Sequence, residues 1–371
     1  MGTRRRNGEG SLGQRSDGRW EGRLVINGRR RSFFGKSERE VLDKLTDAKT
    51  ARKANVPIPS EKLTVAAFLT QYLEEVARPG LRPRSYQRYE GIVRLHLLPT
   101  LGKLRLARLE PMQLQNLYNA KRKELSDRSA QHIHAVVRHA LNVALKMGLT
   151  SRNVAQLVPA PPSYKPPKIR PLTTAQMRLF LDAVSGDRLE AMYLVVISTG
   201  LRMGEVIGLR WSELDWDARA LRVSAALQWI NGKLTLVPPK SDSSNRTVAL
   251  PDSLIAALRA HRARQAQERL LLGHDNELNL VFTSTVGTPL NPQNVRRRFQ
   301  LLLERADLPR QRFHDLRHFH ASYLLARSVP ARVVMDRLGH SQIKLTLETY
   351  SHVAAELQRE AADSMDALLV G

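Results

Sequence analysis

Apolar residues recur at intervals of three and four along most of the chain, and two short regions alternate instead. Val65, Phe68, Leu69 and Tyr72 open the first long helical pattern, with Thr64 at its start. The same period predicts helices over Pro83–Leu97, Pro111–Leu125 and Ser129–Met147, the last with Ile133, Val136, Val137, Leu141 and Ala144 on one face. Thr173 or Thr174 caps a further helix, and from there the pattern stays mostly helical to the C-terminus. It is broken by strands expected at Ala220–Gln228, Leu234–Val237 and Arg246–Leu250, with Asn231-Gly232 as the first turn. Near the N-terminus, Trp20, Gly22, Leu24 and Ile26 alternate with Arg19, Glu21, Arg23 and Val25. The runs Arg19–Ile26 and Arg29–Phe34 flank Asn27-Gly28, a pair suited to a two-residue hairpin because both residues tolerate positive φ. Ser37, with Glu40 three residues on, caps a helix expected to reach about Ala54.

Two stretches interrupt the periodic segments. Val56-Pro57-Ile58-Pro59-Ser60 is a short linker, and Ala160-Pro161-Pro162-Ser163-Tyr164-Lys165-Pro166-Pro167-Lys168 is a proline-rich, basic one. They predict a multidomain chain with a small α+β domain over 1–55, an all-α four-helix domain over 64–160, and a mostly α domain with a small antiparallel sheet over 170–371. No internal repeat is present. The longest apolar stretch, near Met192–Ile197, is far short of a membrane span, and the start MGTRRRNGEG lacks the apolar core of a signal peptide. An intracellular protein without membrane contact is expected.

Charge narrows the choice of partner. Of 371 residues, 59 are Lys or Arg and 35 are Asp or Glu, a formal net charge of +24. Such an excess attracts polyanions, nucleic acid first. Residues 1–31 hold nine arginines against Glu9, Asp17 and Glu21, and residues 64–168 hold 17 basic against 6 acidic side chains. Arg19, Arg23, Arg30 and Arg31 on the hairpin, and Arg82, Arg84 and Arg88 at the start of the second long helix, are the candidate phosphate contacts. Singly, each arginine of the helix cluster reads as a solvated surface charge; the cluster as a whole, and the crowded hairpin, point to nucleic acid. The absence of cysteine removes disulfides, thiol catalysis, Cys-ligated zinc and iron–sulfur clusters, and it fits a reducing compartment.

The usual catalytic signatures are missing: there is no glycine-rich phosphate loop, no nucleophile elbow and no acidic cluster for magnesium. The C-terminal region carries cations and one tyrosine instead. Arg202 stands in Ser198-Thr199-Gly200-Leu201-Arg202-Met203-Gly204-Glu205, and Lys240 precedes Arg246-Thr247-Val248-Ala249-Leu250. His314 and Arg317 stand in His314-Asp315-Leu316-Arg317-His318, His340 in Leu338-Gly339-His340-Ser341, and Tyr350 in Glu348-Thr349-Tyr350-Ser351-His352. Individually these are weak signals. Arg202 and Glu205, three apart at a helix start, suit a structural pair. His314 and His318 share a helix face, but zinc needs a third ligand and no H-E-x-x-H is present.

Together, in this order and spacing, the six residues resemble the tyrosine recombinases, the phage integrase family. The likeness covers the whole C-terminal region, reaches the four-helix core-binding domain upstream and, more loosely, the arm-binding N-terminal domain of lambda-type integrases. It implies a site-specific DNA recombinase of a phage or integrative element. Arg202 and Arg317 would clamp the scissile phosphate, and Lys240 would protonate the departing 5′-hydroxyl. His314 would assist proton transfer at Tyr350, the nucleophile, and His340 would donate to the phosphate. Glu205 looks like the family's acidic partner that positions the site. The residue types suit that chemistry. A phenol with an ordinary pKa of about 10 is ionised beside cations far more readily than a serine, and planar arginine donors replace a metal. No cofactor or metal is expected. The implied partners are core and arm DNA sites, a homo-tetramer on DNA, a host DNA-bending protein and a directionality factor, in a bacterial cytoplasm at the nucleoid. Ala354, Leu357, Ala361, Met365 and Leu368 form a helical stripe after Tyr350 that would serve assembly. Rival readings are a chromosome-dimer resolvase, a type IB topoisomerase, and a DNA-binding regulator on an inactive scaffold.

Overall fold

The computed structural model describes residues 11–26, 29–53, 62–164, 171–238, 245–273 and 275–339, with a few positions between 362 and 369. It divides into two compact units, Met1–Pro166 and Pro167–Gly371. The fold is mostly helical, with small antiparallel sheets.

In the first unit, β1 (Ser11–Gln14), β2 (Trp20–Ile26) and β3 (Arg29–Gly35) form a meander in the order β1-β2-β3. The register pairs Arg23 with Ser32, Leu24 with Arg31 and Val25 with Arg30. Leu24 faces α1 (Glu38–Lys53), where Val41, Leu45 and Ala48 close a small core of their own. Gly22 permits this approach, since a Cβ there would lie 2.6 Å from Val41 Cγ1. The Ser37 cap forms as the sequence implies, with Glu40 N donating to Ser37 Oγ at 3.3 Å. The Asn27-Gly28 turn lies outside the described residues.

The helical part follows. α2 (Val65–Tyr72) continues through a π turn at Leu73–Ala77 into α3 (Arg78–Gly80). α4 (Pro83–Ile92) continues likewise through Val93–Leu97 into α5 (Leu98–Leu101). α6 (Pro111–Glu124) and α7 (Asp127–Lys146) complete it around Phe68, Leu97, Leu114, Leu117, Ile133 and Leu141. α7 starts two residues earlier than its apolar face alone predicts, because Ser126 caps it by accepting from Ser129 N.

The second unit opens with α8 (Thr174–Val184), capped by Thr173 and Gln176, then α9 (Glu190–Thr199) and α10 (Met203–Ile207). Strands β4 (Leu214–Asp215), β5 (Ala220–Val223) and β8 (Arg246–Ala249) form one sheet, and β6 (Ala226–Ile230) with β7 (Lys233–Val237) form a separate hairpin. Asn231 and Gly232 both take positive φ in its turn. The single strand expected over Ala220–Gln228 is therefore two strands in two sheets. The break coincides with the close approach of Gly208, just past α10, to β6, where a Cβ would lie 2.7 Å from Leu227 N. Among the described residues, helices α11 (Asp252–Leu272), α12 (Pro292–Arg305), α13 (Asp315–Leu325) and α14 (Ala331–Leu338) follow in this unit. Phe180, Tyr193, Phe299 and Phe313 interlock edge-to-face at its centre, with Phe180–Phe299 centroids 5.4 Å apart. Among the described residues no helix is long and apolar enough to cross a membrane.

Candidate active site

The site is built where α9 stops. Gly200 takes φ 67°, ending α9 in the left-handed region, and two residues on Arg202 caps α10. Arg202 N donates to Glu205 Oε2 at 2.9 Å and its Nη1 to Oε1 at 2.7 Å, so the expected i, i+3 pair exists. Glu205 has a second partner that spacing could not supply. From β8, Arg246 Nη2 reaches Oε2 at 3.0 Å, and both side chains of that pair are 7% exposed.

Arg317, on α13 and 2% exposed, donates through Nη1 to Gly200 O at 2.7 Å and through Nη2 to Leu338 O at 2.6 Å. Arg202 Nη2 reaches Gly339 O at 3.3 Å. The two arginines thus meet at the Leu338-Gly339 turn, and Arg317 also holds the Gly200 turn two residues before Arg202. The structure brings Arg202, Glu205, His314 and Arg317 into one locality, although they span more than a hundred positions in sequence.

The local field is positive. Burial pushes Glu205 upward, but Arg246 and Arg202 outweigh it and hold the carboxyl below its ordinary range. His314 is crowded on one side and open to solvent on the other. Desolvation, with His318, Arg317 and Arg202 nearby, pushes it down to about 4. It is therefore a neutral imidazole at neutral pH, able to accept a proton. Its ring meets His318 edge-on at 4.9 Å, which is a packing contact. Among the described residues no group of three possible metal ligands exists. Asp315 is engaged by Arg312 at 2.8 Å, so among the described residues Arg202 and Arg246 have Glu205 as their carboxylate partner, a cationic locality suited to an anion.

Lys240, His340 and Tyr350, and the stripe after Tyr350 as far as Ala361, lie outside the described residues. The hairpin arginines separate by face. Arg23 and Arg30 occupy the open face beside the exposed Val25 and Phe34, Arg31 is on the α1 side at the sheet's end, and Arg19 pairs with Asp17 at 2.7 Å in the turn. Arg23 donates to Glu21 at 2.8 Å. Arg84 and Arg88, one turn apart, are exposed on α4 with Arg82 just before it. Two part-buried arginines stand outside the expected set of site residues: Arg246, whose side chain is 7% exposed, and Arg337 at the end of α14. Arg246 carried a signal, since alternation in β8 puts it on the inward face with Val248.

Residues 170–356 match the model of the phage integrase family, and residues 64–122 match the phage integrase N-terminal SAM-like domain. The chain is 28% identical over 361 residues to a tyrosine recombinase XerC-like protein of Caldanaerobacter subterraneus subsp. tengcongensis, covering 92% of each chain. It is 28% identical over 434 residues to an integrase of Saccharopolyspora erythraea, covering 100% of this chain and 98% of that one. In fold it is similar to the Tn1549 transposon integrase solved with transposon right end DNA. The TM-score there is 0.66 at 22% identity, over 81% of this chain and 100% of that one. It is also similar to a lambda integrase solved as a tetramer on a Holliday junction, with TM-score 0.56 at 19% identity over 89% and 95% of the two chains.

Proposed function

This chain belongs to the phage integrase family and is a tyrosine-type site-specific DNA recombinase of a phage or mobile element, and from that premise we propose how its residues divide the work. Arg202 and Arg317 hold the non-bridging oxygens of the scissile phosphate. Tyr350 Oη attacks phosphorus, the bond to the 5′ oxygen breaks, and a 3′-phosphotyrosyl linkage forms. Lys240 gives the leaving 5′-hydroxyl its proton, neutral His314 assists proton transfer at Tyr350, and His340 donates to the phosphate. Attack of a second 5′-hydroxyl on phosphorus releases the tyrosine and reseals the strand without an external energy source. Glu205 orients Arg202. The observation that carries this reading is that Arg317 and Arg202 meet at Leu338-Gly339, with Arg317 also holding Gly200 O and Glu205 paired to Arg202 and Arg246. Removing one such donor raises the barrier by roughly 3–4 kcal/mol.

In the same reading residues 1–55 bind arm-type DNA, 64–160 bind the core site and 170–371 cleave. The protein acts as a homo-tetramer on DNA, with a host bending protein and a directionality factor, at the nucleoid. The fold neighbour solved as a tetramer on a Holliday junction supports the tetramer on DNA.

A nicked suicide DNA carrying the core site tests the reading. The wild-type protein should become covalently attached, with and without EDTA, since arginines supply the charge stabilisation. Tyr350→Phe should bind with near-normal affinity and form no adduct, because affinity rests on phosphate contacts. An adduct in the variant would place the nucleophile elsewhere. Absence of any adduct with the wild-type protein would favour a DNA-binding regulator.

A further inference from the structure

The last carbonyls of a helix have no partner within it and must find one outside. At the end of α9 side chains from two other helices take up much of that requirement. Gly200 N closes on Val196 O at 2.8 Å, and of the carbonyls that follow, those of Ile197, Ser198 and Gly200 take side-chain donors. His320 Nδ1, on α13, lies 2.9 Å from Ile197 O. Arg337 Nη2, on α14, donates to Ser198 O at 3.0 Å, and Arg317 takes Gly200 O. A carbonyl can only accept, so Nδ1 of His320 carries the proton, and its buried Nε2 has no partner among the described residues. The fit is close: a Cβ on Gly200 would lie 2.6 Å from Leu338 Cδ2 and 2.9 Å from His320 Cδ2.

These contacts bear on Arg202, which stands two residues beyond Gly200. Arg337 also joins the neighbouring strand, since its own carbonyl accepts from Arg246 Nε at 2.6 Å, and Arg246 holds Glu205. The end of α9, the Arg202–Glu205 pair and β8 are thus tied together through α13 and α14. We propose that His320 and Arg337 are positioning residues, which hold the terminal carbonyls of α9 so that the Gly200–Arg202 turn presents the Arg202 guanidinium to the scissile phosphate. The proposal rests on the reading of Arg202 as a phosphate clamp.

The test is the single-turnover rate of phosphotyrosyl formation on nicked core-site DNA at saturation, with core-site affinity and thermal midpoint measured alongside. His320→Leu keeps apolar volume and removes the donor. It should slow adduct formation about tenfold or more, because small displacements of a clamping group are costly in rate, while affinity stays within about twofold. His320→Asn places an amide N–H where Nδ1 was and should restore most of the rate. His320→Gln carries its N–H farther out and should behave like His320→Leu, so it replaces that variant should His320→Leu not fold. A wild-type rate for His320→Leu and His320→Gln overturns the proposal, as does equal slowing of Leu, Gln and Asn variants, which would mean only ring volume matters. In an Arg202→Ala background the residual rate should not fall further on adding His320→Leu. A full additional loss there would place the action of His320 elsewhere. Arg202→Ala by itself cleaving at the wild-type rate would overturn the clamp reading, whatever the His320 variants do.

Discussion

Glu205 accepts from Arg202 and Arg246 in a site where both it and Arg246 are almost wholly shielded from water. Replacing it with Gln keeps the shape but removes this carboxylate from the shielded Arg246 guanidinium. A destabilisation on the order of 3 kcal/mol is expected by chemical denaturation, together with slower phosphotyrosyl formation. The pH dependence separates Glu205 from His320. The Glu205 carboxyl titrates below its ordinary 4.5 in the folded protein, so its contribution is complete above that value and is lost as pH falls further. Burial and three nearby arginines push His320 down to about 4 from 6.5, so the unfolded chain binds its proton first. Stability from that group is therefore lost as pH falls from 6.5 towards 4. Glu205→Gln should flatten the lower window and His320→Asn the upper one; unchanged profiles would mean these groups are not coupled to folding. The Arg202–Glu205 pair was legible in sequence because three residues on a helix is a local relation. The Arg246–Glu205 contact joins residues 41 apart, and the His320–Ile197 contact residues 123 apart. No local period encodes either of them.

Element ends, more than element interiors, decide where the chemistry sits. α9 has to stop at Gly200 so that α10 can start at Arg202, and the φ of 67° makes glycine the residue that permits it. Gly200→Ala faces two penalties, the left-handed backbone at roughly 1–2 kcal/mol and a Cβ driven against Leu338 and His320. A lowered unfolding midpoint and a cleavage rate reduced more than DNA affinity are expected; an unaltered rate would show that the turn tolerates displacement. Helices α6 and α7 were readable to within a few residues, because capping residues and a sustained apolar face mark them. The division of Ala220–Gln228 into β5 and β6 was not. Both halves suit a strand, and the break coincides with the bare backbone of Gly204 and Gly208 packing against Leu227, a tertiary contact without a sequence period. The Asn231-Gly232 turn was readable, since its positive φ angles are a demand on those two residues alone.

For the whole molecule the informative quantity is how charge is parcelled out. The chain carries +24, and the boundary between its two units, at Pro166 and Pro167, falls within the proline-rich stretch that composition marks as a linker. The small sheet with α1 has its own apolar cluster around Leu24, Val41 and Leu45, apart from the cluster that joins α2, α4, α6 and α7. A segment with its own core, a basic open face carrying Arg23 and Arg30, and a Val56–Ser60 linker after it suits a second, separately tethered DNA contact. Binding two DNA segments with one chain raises the effective concentration of the second contact, provided the DNA is bent enough for the linker to span them. Deletion of residues 1–60 should therefore leave covalent cleavage of an isolated core site largely intact, because all six proposed catalytic residues remain. Recombination between full attachment sites should collapse, and protection of DNA outside the core should vanish from footprints. The salt dependence of full-site binding should also become shallower, since fewer phosphates are neutralised. Recombination of full sites at the normal rate by the truncated protein would make residues 1–60 a basic appendage and remove the lambda-type division of labour.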